Sequence, residues 1–187
     1  MLLFLNLECI LGSSSYGAHA PGALGVPDFE AALAAWPALR IVITSEMRYR
    51  MTLEALRGCF SPGFRAQVVD TTLQYGALAQ GPRLTREQEI QDWLWHARER
   101  GAAWIALDNR VEDFVRHTDR LVACPDFTPQ VVSELQTKLL LHAVRQESAL
   151  TSDGVAPPRP NAQRLMGVEM PVPGSRRTDV GTRKPAI

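Results

Sequence analysis

Five short apolar runs, at residues 2–7, 40–44, 66–70, 103–107 and 120–124, constrain this chain more than any other feature, because helix signals separate most of them. Leu2-Leu3-Phe4-Leu5 has no polar residue to turn toward water, so it reads as a buried strand. Arg40-Ile41-Val42-Ile43-Thr44 is β-branched and follows Pro37, which marks a second strand. Between the runs, Pro27-Asp28 opens a short helix to about residue 35. Ser45 is a plausible N-cap for a helix that Gly58 ends. Thr85-Arg86-Glu87-Gln88 has the capping-box form and starts a helix whose buried stripe is Ile90, Trp93, Leu94 and Ala97, with Gly101 closing it. Thr128-Pro129 caps a last helix to about residue 147. Residues 12–17 read as a loop, and Gly76, Gly81 and Pro82 mark an irregular segment. Helical crossovers between strands imply an α/β chain: a Rossmann-like, mostly parallel sheet of about five strands with helices on both faces.

A length of 187 residues with 45% hydrophobic content suits one domain with a full core. That domain is expected at residues 1–148. Beyond Leu150 the composition shifts: residues 152–187 hold six prolines, four glycines and no aromatic residue, too little apolar area to offset the entropy of ordering. Residues 149–187 therefore read as a disordered Pro/Arg-rich tail, either a solvated linker or a mildly basic arm for a protein or nucleic-acid partner. Over the whole chain 20 Lys and Arg balance 20 Asp and Glu, so no global field favours polyanions or anionic membranes. Cys9, Cys59 and Cys124 are odd in number and form no C-x-x-C pair, which fits a reducing cytoplasm and suggests neither disulfide nor zinc. Ala18-His19-Ala20 imitates a signal-peptide cleavage site, but a basic n-region is missing and Asn6 and Glu8 interrupt the apolar stretch. No apolar run reaches the ~20 residues that span a membrane.

Polar residues stand at the ends of three strands: Asn6 and Glu8, Thr44 and Ser45, Asp108 and Asn109. In an open α/β sheet the carboxyl ends of the strands form the ligand edge. Ordinary roles compete at each position. Asn6 suits the turn after a strand, Glu8 suits a solvated loop, and Thr44 or Ser45 suits a helix cap, which can itself hold an anion. Arg86 is unfavourable to the dipole in the first turn of a helix, so a site-facing role is expected for it. Trp36, Trp93 and Trp104 read as core, whereas Trp95 lies off the buried stripe and marks an exposed surface. His19, His96, His117 and His142 show no metal-ligand spacing. Cys9 is a remote candidate nucleophile with no histidine nearby in sequence.

The segments LFLNLECILG, IVITSEMR, TREQEIQDWL and WIALDN, spread over about residues 2–147, resemble the haloacid dehalogenase-like (HAD) superfamily of phosphotransferases, and within it the branch associated with RNA-repair-type proteins. In that family a strand ends in D-x-D-G, the first Asp attacking phosphorus and the second serving as general acid/base. The resemblance places the nucleophile at Asn6, the acid/base at Glu8 and the loop glycine at Cys9, and all three depart from the pattern. It places the phosphoryl-binding hydroxyl at Thr44 or Ser45, the stabilising base at Arg86 with Arg83 as substitute, and the metal-binding acidic pair at Asp108 and Asn109.

The departures have chemical consequences. A neutral amide at position 6 cannot attack phosphorus to form an acyl phosphate. Asn109 in place of an acid withdraws charge from an Mg²⁺ site, so magnesium should bind weakly. Glu8 sets its carboxyl a methylene farther out, and about 1 Å of misplacement can cost about 10²-fold in rate. Cys9 removes the backbone freedom of glycine. The expectation is a catalytically impaired HAD-like domain that keeps a phosphate-type crevice and binds a phosphorylated small molecule, a nucleic-acid end or, through the tail, a protein. The alternative is an active Mg²⁺-dependent phosphatase, a phosphoric-ester hydrolase, with an altered motif.

Overall fold

All four residues of Leu2–Leu5 (β1) are buried, and this strand is the centre of the sheet. In the computed structural model, residues 1–11, 23–72 and 84–152 are described, and they fall in one compact unit, Met1–Gly154. The loop at 12–17, Ala18-His19-Ala20, the segment with Gly76, Gly81 and Pro82, Arg83, and the tail beyond residue 152 lie outside the described residues. After β1 come α1 (Glu8–Leu11), α2 (Val26–Ala32), β2 (Arg40–Ile43), α3 (Leu53–Arg57) and β3 (Val68–Thr71). They are followed by α4 (Arg86–His96), β4 (Trp104–Asp108), β5 (Leu121–Ala123) and α5 (Pro129–Ser152). The sheet is parallel throughout, in the order β3-β2-β1-β4-β5.

Strand alternation sends the two faces of the sheet into two separate cores. Leu3, Leu5, Ile41, Ile43, Ile105, Leu107 and Val122 pack with Phe29 of α2, Leu56 of α3 and Leu135 and Leu139 of α5. Leu2, Phe4, Val42, Trp104, Ala106 and Leu121 pack with Ile90, Trp93 and Leu94 of α4. Phe4 meets Trp93 and Trp104 edge-on, with ring centroids 5.5 and 5.8 Å apart. Helices thus cover both faces, the α/β arrangement expected from the alternation of signals.

Several elements differ from expectation. The strands are shorter: β1 stops at Leu5 and β2 at Ile43. The single helix expected between Ser45 and Gly58 is two pieces. Ser45 Oγ accepts from Met47 N at 3.2 Å and caps one 3-10 turn, Glu46–Tyr49; Thr52 Oγ1 then accepts from Ala55 N at 3.2 Å and starts α3. Gly58 ends α3 as expected, and a Cβ there would sit 3.0 Å from the Ala55 carbonyl oxygen. The capping box at Thr85 and Gln88 is present in both directions. However, Arg98, not Gly101, turns the chain out of α4: it adopts φ 59°, and Glu99 N donates back to Leu94 O at 2.9 Å in a Schellman-type closure. Ala97, expected in the buried stripe, consequently lies exposed at the cap. The left-handed turn at Arg98 also brings Glu99 onto Arg40 in an ion pair.

Candidate functional site

Register alone sets three polar residues side by side. Leu5 is level with Ile43 on one side and Leu107 on the other. The next residue on each strand is Asn6, Thr44 and Asp108, and all three are fully buried. The strand order reverses between β1 and β4, so this trio stands at the topological switch point, where crevices form in such sheets.

Asn6 bridges the switch point. Its Oδ1 accepts from the Glu8 backbone N at 3.3 Å, which turns its amide nitrogen the other way. Nδ2 donates to Asn109 Oδ1 at 2.9 Å and, more weakly, to Asp108 Oδ1 at 3.3 Å. Asn6 therefore both holds the turn after β1 and reaches across to the end of β4. Asp108 is surrounded by donors: the Arg110 N–H at 3.0 Å also meets Oδ1, and Thr44 Oγ1 donates to Oδ2 at 3.4 Å. Arg86 Nε stands 3.3 Å from the same Oδ2.

Arg86 reaches Asp108 from the first turn of α4, and Glu87 and Glu89 in that turn offset its unfavourable position against the helix dipole. Glu89 also holds Arg86 directly, with Nη1 to Oε2 at 2.9 Å, and its other oxygen takes Arg48 Nη2 at 2.6 Å. Arg48 donates in turn to the backbone carbonyls of Thr44 and Ser45 and to Tyr49 Oη. Burial pushes the Arg48 pKa down while the neighbouring Glu89 works against that shift. The result is a buried chain of two cations and two anions: Arg48, Glu89, Arg86 and Asp108.

Sequence reasoning placed Asn6, Thr44, Arg86, Asp108 and Asn109 at one sheet edge, and the fold brings these five together. Ser45 is buried beside Thr44, but its hydroxyl caps the 3-10 turn. Glu8 is half-buried at the start of α1, and its side chain makes no hydrogen bond to the described residues. Cys9 is buried, its thiol 3.9 Å from the Leu107 carbonyl oxygen, and its contact with Cys124, then burial, push its pKa far up. A thiol held protonated in this way is a poor nucleophile. Arg48 and Glu89 were missed. Glu89 had a signal, since it lies three residues after Arg86 on one helix face. Arg48 had none, because its reach into the site depends on the turn that interrupts the expected helix.

The donor set does not suit Mg²⁺. Both oxygens of Asp108 already face protein donors, and Asn6 presents its N–H side to Asp108 and Asn109, where a metal needs oxygen lone pairs. Among the described residues no three His, Cys, Asp or Glu side chains gather as a metal group.

The family described as the HAD domain in Swiss Army Knife RNA repair proteins matches residues 26–128, more than half of the chain. The chain belongs to this family. Thr44, Ser45, Arg86, Asp108 and Asn109 fall inside the matched segment of the HAD domain, whereas Asn6, Glu8 and Cys9 precede it. No curated protein and no solved structure gives a significant match to the chain. Among the described residues of this HAD domain, no helix is long and apolar enough to cross a membrane.

Proposed function

We propose that this HAD domain binds a phosphate-bearing ligand, a nucleic-acid end above all, in the crevice between β1 and β4, and does not hydrolyse it. The observation that carries the reading is Arg86 Nη2: it is fully buried and has no hydrogen-bond partner among the described residues. A buried, unused guanidinium donor costs free energy until an acceptor arrives, and a phosphoryl oxygen is the acceptor guanidinium fits best. Thr44 supplies a hydroxyl at the same strand edge. The absence of a carboxylate at position 6 removes the covalent route, and the donors around Asp108 compete with any Mg²⁺ there, so metal binding would be weak. Membership in an RNA-repair family supports the choice of a nucleic-acid end over other phosphate esters.

The test is titration of the full chain with inorganic phosphate and with a 3′- or 5′-phosphorylated oligoribonucleotide, alongside a phosphomonoester hydrolysis assay in Mg²⁺. Saturable phosphate binding, lost in Arg86→Ala and without turnover, is the expected result. Metal-dependent hydrolysis that survives repurification and vanishes in Asp108→Ala would establish the active-phosphatase alternative instead. Activity appearing only in the double variant Asn6→Asp, Glu8→Asp would locate the lesion in the strand-end motif.

A further inference from the structure

The crevice is both closed and electrically neutral. Asn6, Thr44, Arg86 and Asp108 are all buried. The charges of Arg48 and Arg86 are answered by those of Glu89 and Asp108. A phosphate monoester brings about −1.5 to −2 charges at pH 7, so its entry requires an opening and one further cation.

Arg110 meets both needs. It stands two residues past Asp108, the end of β4, and its backbone N–H donates to Asp108 Oδ1. Its guanidinium Nη2 pairs with Glu46, which stands two residues past Thr44 and begins the 3-10 turn after β2. Because β1 lies between β2 and β4, this ion pair crosses the carboxyl end of β1, the strand that Asn6 continues. The two side chains are 33% and 37% exposed, so the pair is a half-exposed bridge across the rim above a buried site. Arg110 is also arranged like Arg86. In each, Nη1 faces an acid three residues on, Asp113 at 4.0 Å and Glu89 at 2.9 Å, which leaves Nη2 as the far end of the fork. Asp113 links the two arginines as well, since its Oδ2 accepts from the Arg86 backbone N at 3.1 Å.

We propose that Arg110 is a second phosphate-binding arginine and that Glu46 is its built-in competitor: their ion pair bridges the crevice in the free protein, and a phosphate ester displaces Glu46 from Arg110. The inference rests on the phosphate reading of the crevice and adds how the ligand enters it. Once displaced, the Glu46 carboxylate turns to water and the site gains one net positive charge. Half-exposed ion pairs contribute little to stability, so the bridge opens readily, whereas a guanidinium bonds a phosphoryl oxygen strongly.

The experiment is calorimetric titration of the full chain with inorganic phosphate and with a 5′-phosphorylated oligoribonucleotide, repeated on Glu46→Gln, Arg110→Ala, Arg110→Lys and, as the reference for loss of the crevice, Arg86→Ala. Removing the competitor in Glu46→Gln is expected to tighten binding about two- to fivefold, the worth of an exposed ion pair. Arg110→Ala removes the same bridge, yet it should weaken binding at least about tenfold because a charge-assisted bond to the ligand is lost. Arg110→Lys keeps the charge without the fork and should fall between the two; it also serves if thermal melts show that the alanine variant is unfolded. Equal or tighter binding in Arg110→Ala would make the pair a mere obstruction and overturn the proposal, as would unchanged binding in Glu46→Gln. In both cases Arg86-dependent binding by the parent would leave the crevice reading standing. Binding that survives Arg86→Ala but not Arg110→Ala would place the phosphate on the rim alone and refute the exchange. Binding by Glu46→Gln where the parent shows none would support the bridge as a closure. No binding by either protein would overturn the crevice reading and this inference together.

Discussion

Asn6 and Asp108 face each other across the gap between β1 and β4, amide nitrogen to carboxylate oxygen at 3.3 Å. In the phosphotransferase pattern that the chain resembles, both positions are acidic. Here an N–H dipole and the Arg86 guanidinium sit against Asp108 instead. Electrostatic balance at the switch point is thus achieved within the protein.

Asn6→Asp should make the fold dependent on a cation. Two buried carboxylates at this distance cannot both ionise without one, so one pKa must rise or the pair must separate. In EDTA the variant is expected to lose about 1–3 kcal/mol of stability, the cost of a buried polar group left without its partner. Mg²⁺ should restore part of that loss through preferential binding to the folded state. Thermal melts of parent and variant, each with and without Mg²⁺, check this. A variant as stable as the parent in EDTA would mean that Asp108 does not feel residue 6.

Glu89 is the counterion of two buried arginines, and removing it should be among the most damaging single changes in the chain. Breaking a buried pair strands an uncompensated charge, which costs about 3–5 kcal/mol. Glu89→Ala removes the carboxylate that two buried arginines share, leaving Arg86 its pair with Asp108. Glu89→Gln keeps the shape and some hydrogen bonding, and should fall between the parent and the alanine variant in urea unfolding. An alanine variant within about 1 kcal/mol of the parent would contradict a buried network of this kind.

Glu87 predicts an acid-sensitive hinge between α4 and the segment after β4. Burial acts to raise its pKa, but the N–H groups of Val115 and Arg116 together with His117 outweigh that effect and leave it lowered. A lowered carboxylate pKa contributes stability that is fully present above the ordinary value of 4.5 and is lost as pH falls through the folded-state value below it. Glu87→Gln should therefore be less stable than the parent at pH 7, by about 1–3 kcal/mol for the charge-assisted hydrogen bonds it loses. The two proteins should converge as pH drops below about 4. Parallel stability curves from pH 7 to pH 3 would refute the assignment.

Much of this architecture was legible in the order of residues. Apolar runs without polar alternation required buried parallel strands, and Thr85 with Gln88 marked the start of α4 because capping is a local hydrogen-bond problem solved within four residues. The polar strand ends Asn6, Thr44 and Asp108 were legible for a similar reason: parallel pairing in register brings equivalent ends together whatever the loops do. The end of α4 was not, since Gly101 carried the usual stop signal while Arg98 took the left-handed turn.

What tertiary structure decided is where charge meets charge. The sequence by itself determined a doubly wound sheet with a polar edge and an amide at the position of a nucleophile. It did not determine that Arg48 would fold back through a 3-10 turn onto Glu89, that Arg86 would lean on Asp108, or that Trp95 and His117 would face one groove. Those contacts join residues 22 to 41 positions apart in the chain, and they depend on side-chain direction and burial. Periodicity and capping are local and can be read along the chain; electrostatic partners in a low-dielectric crevice are set by distances that exist only after folding.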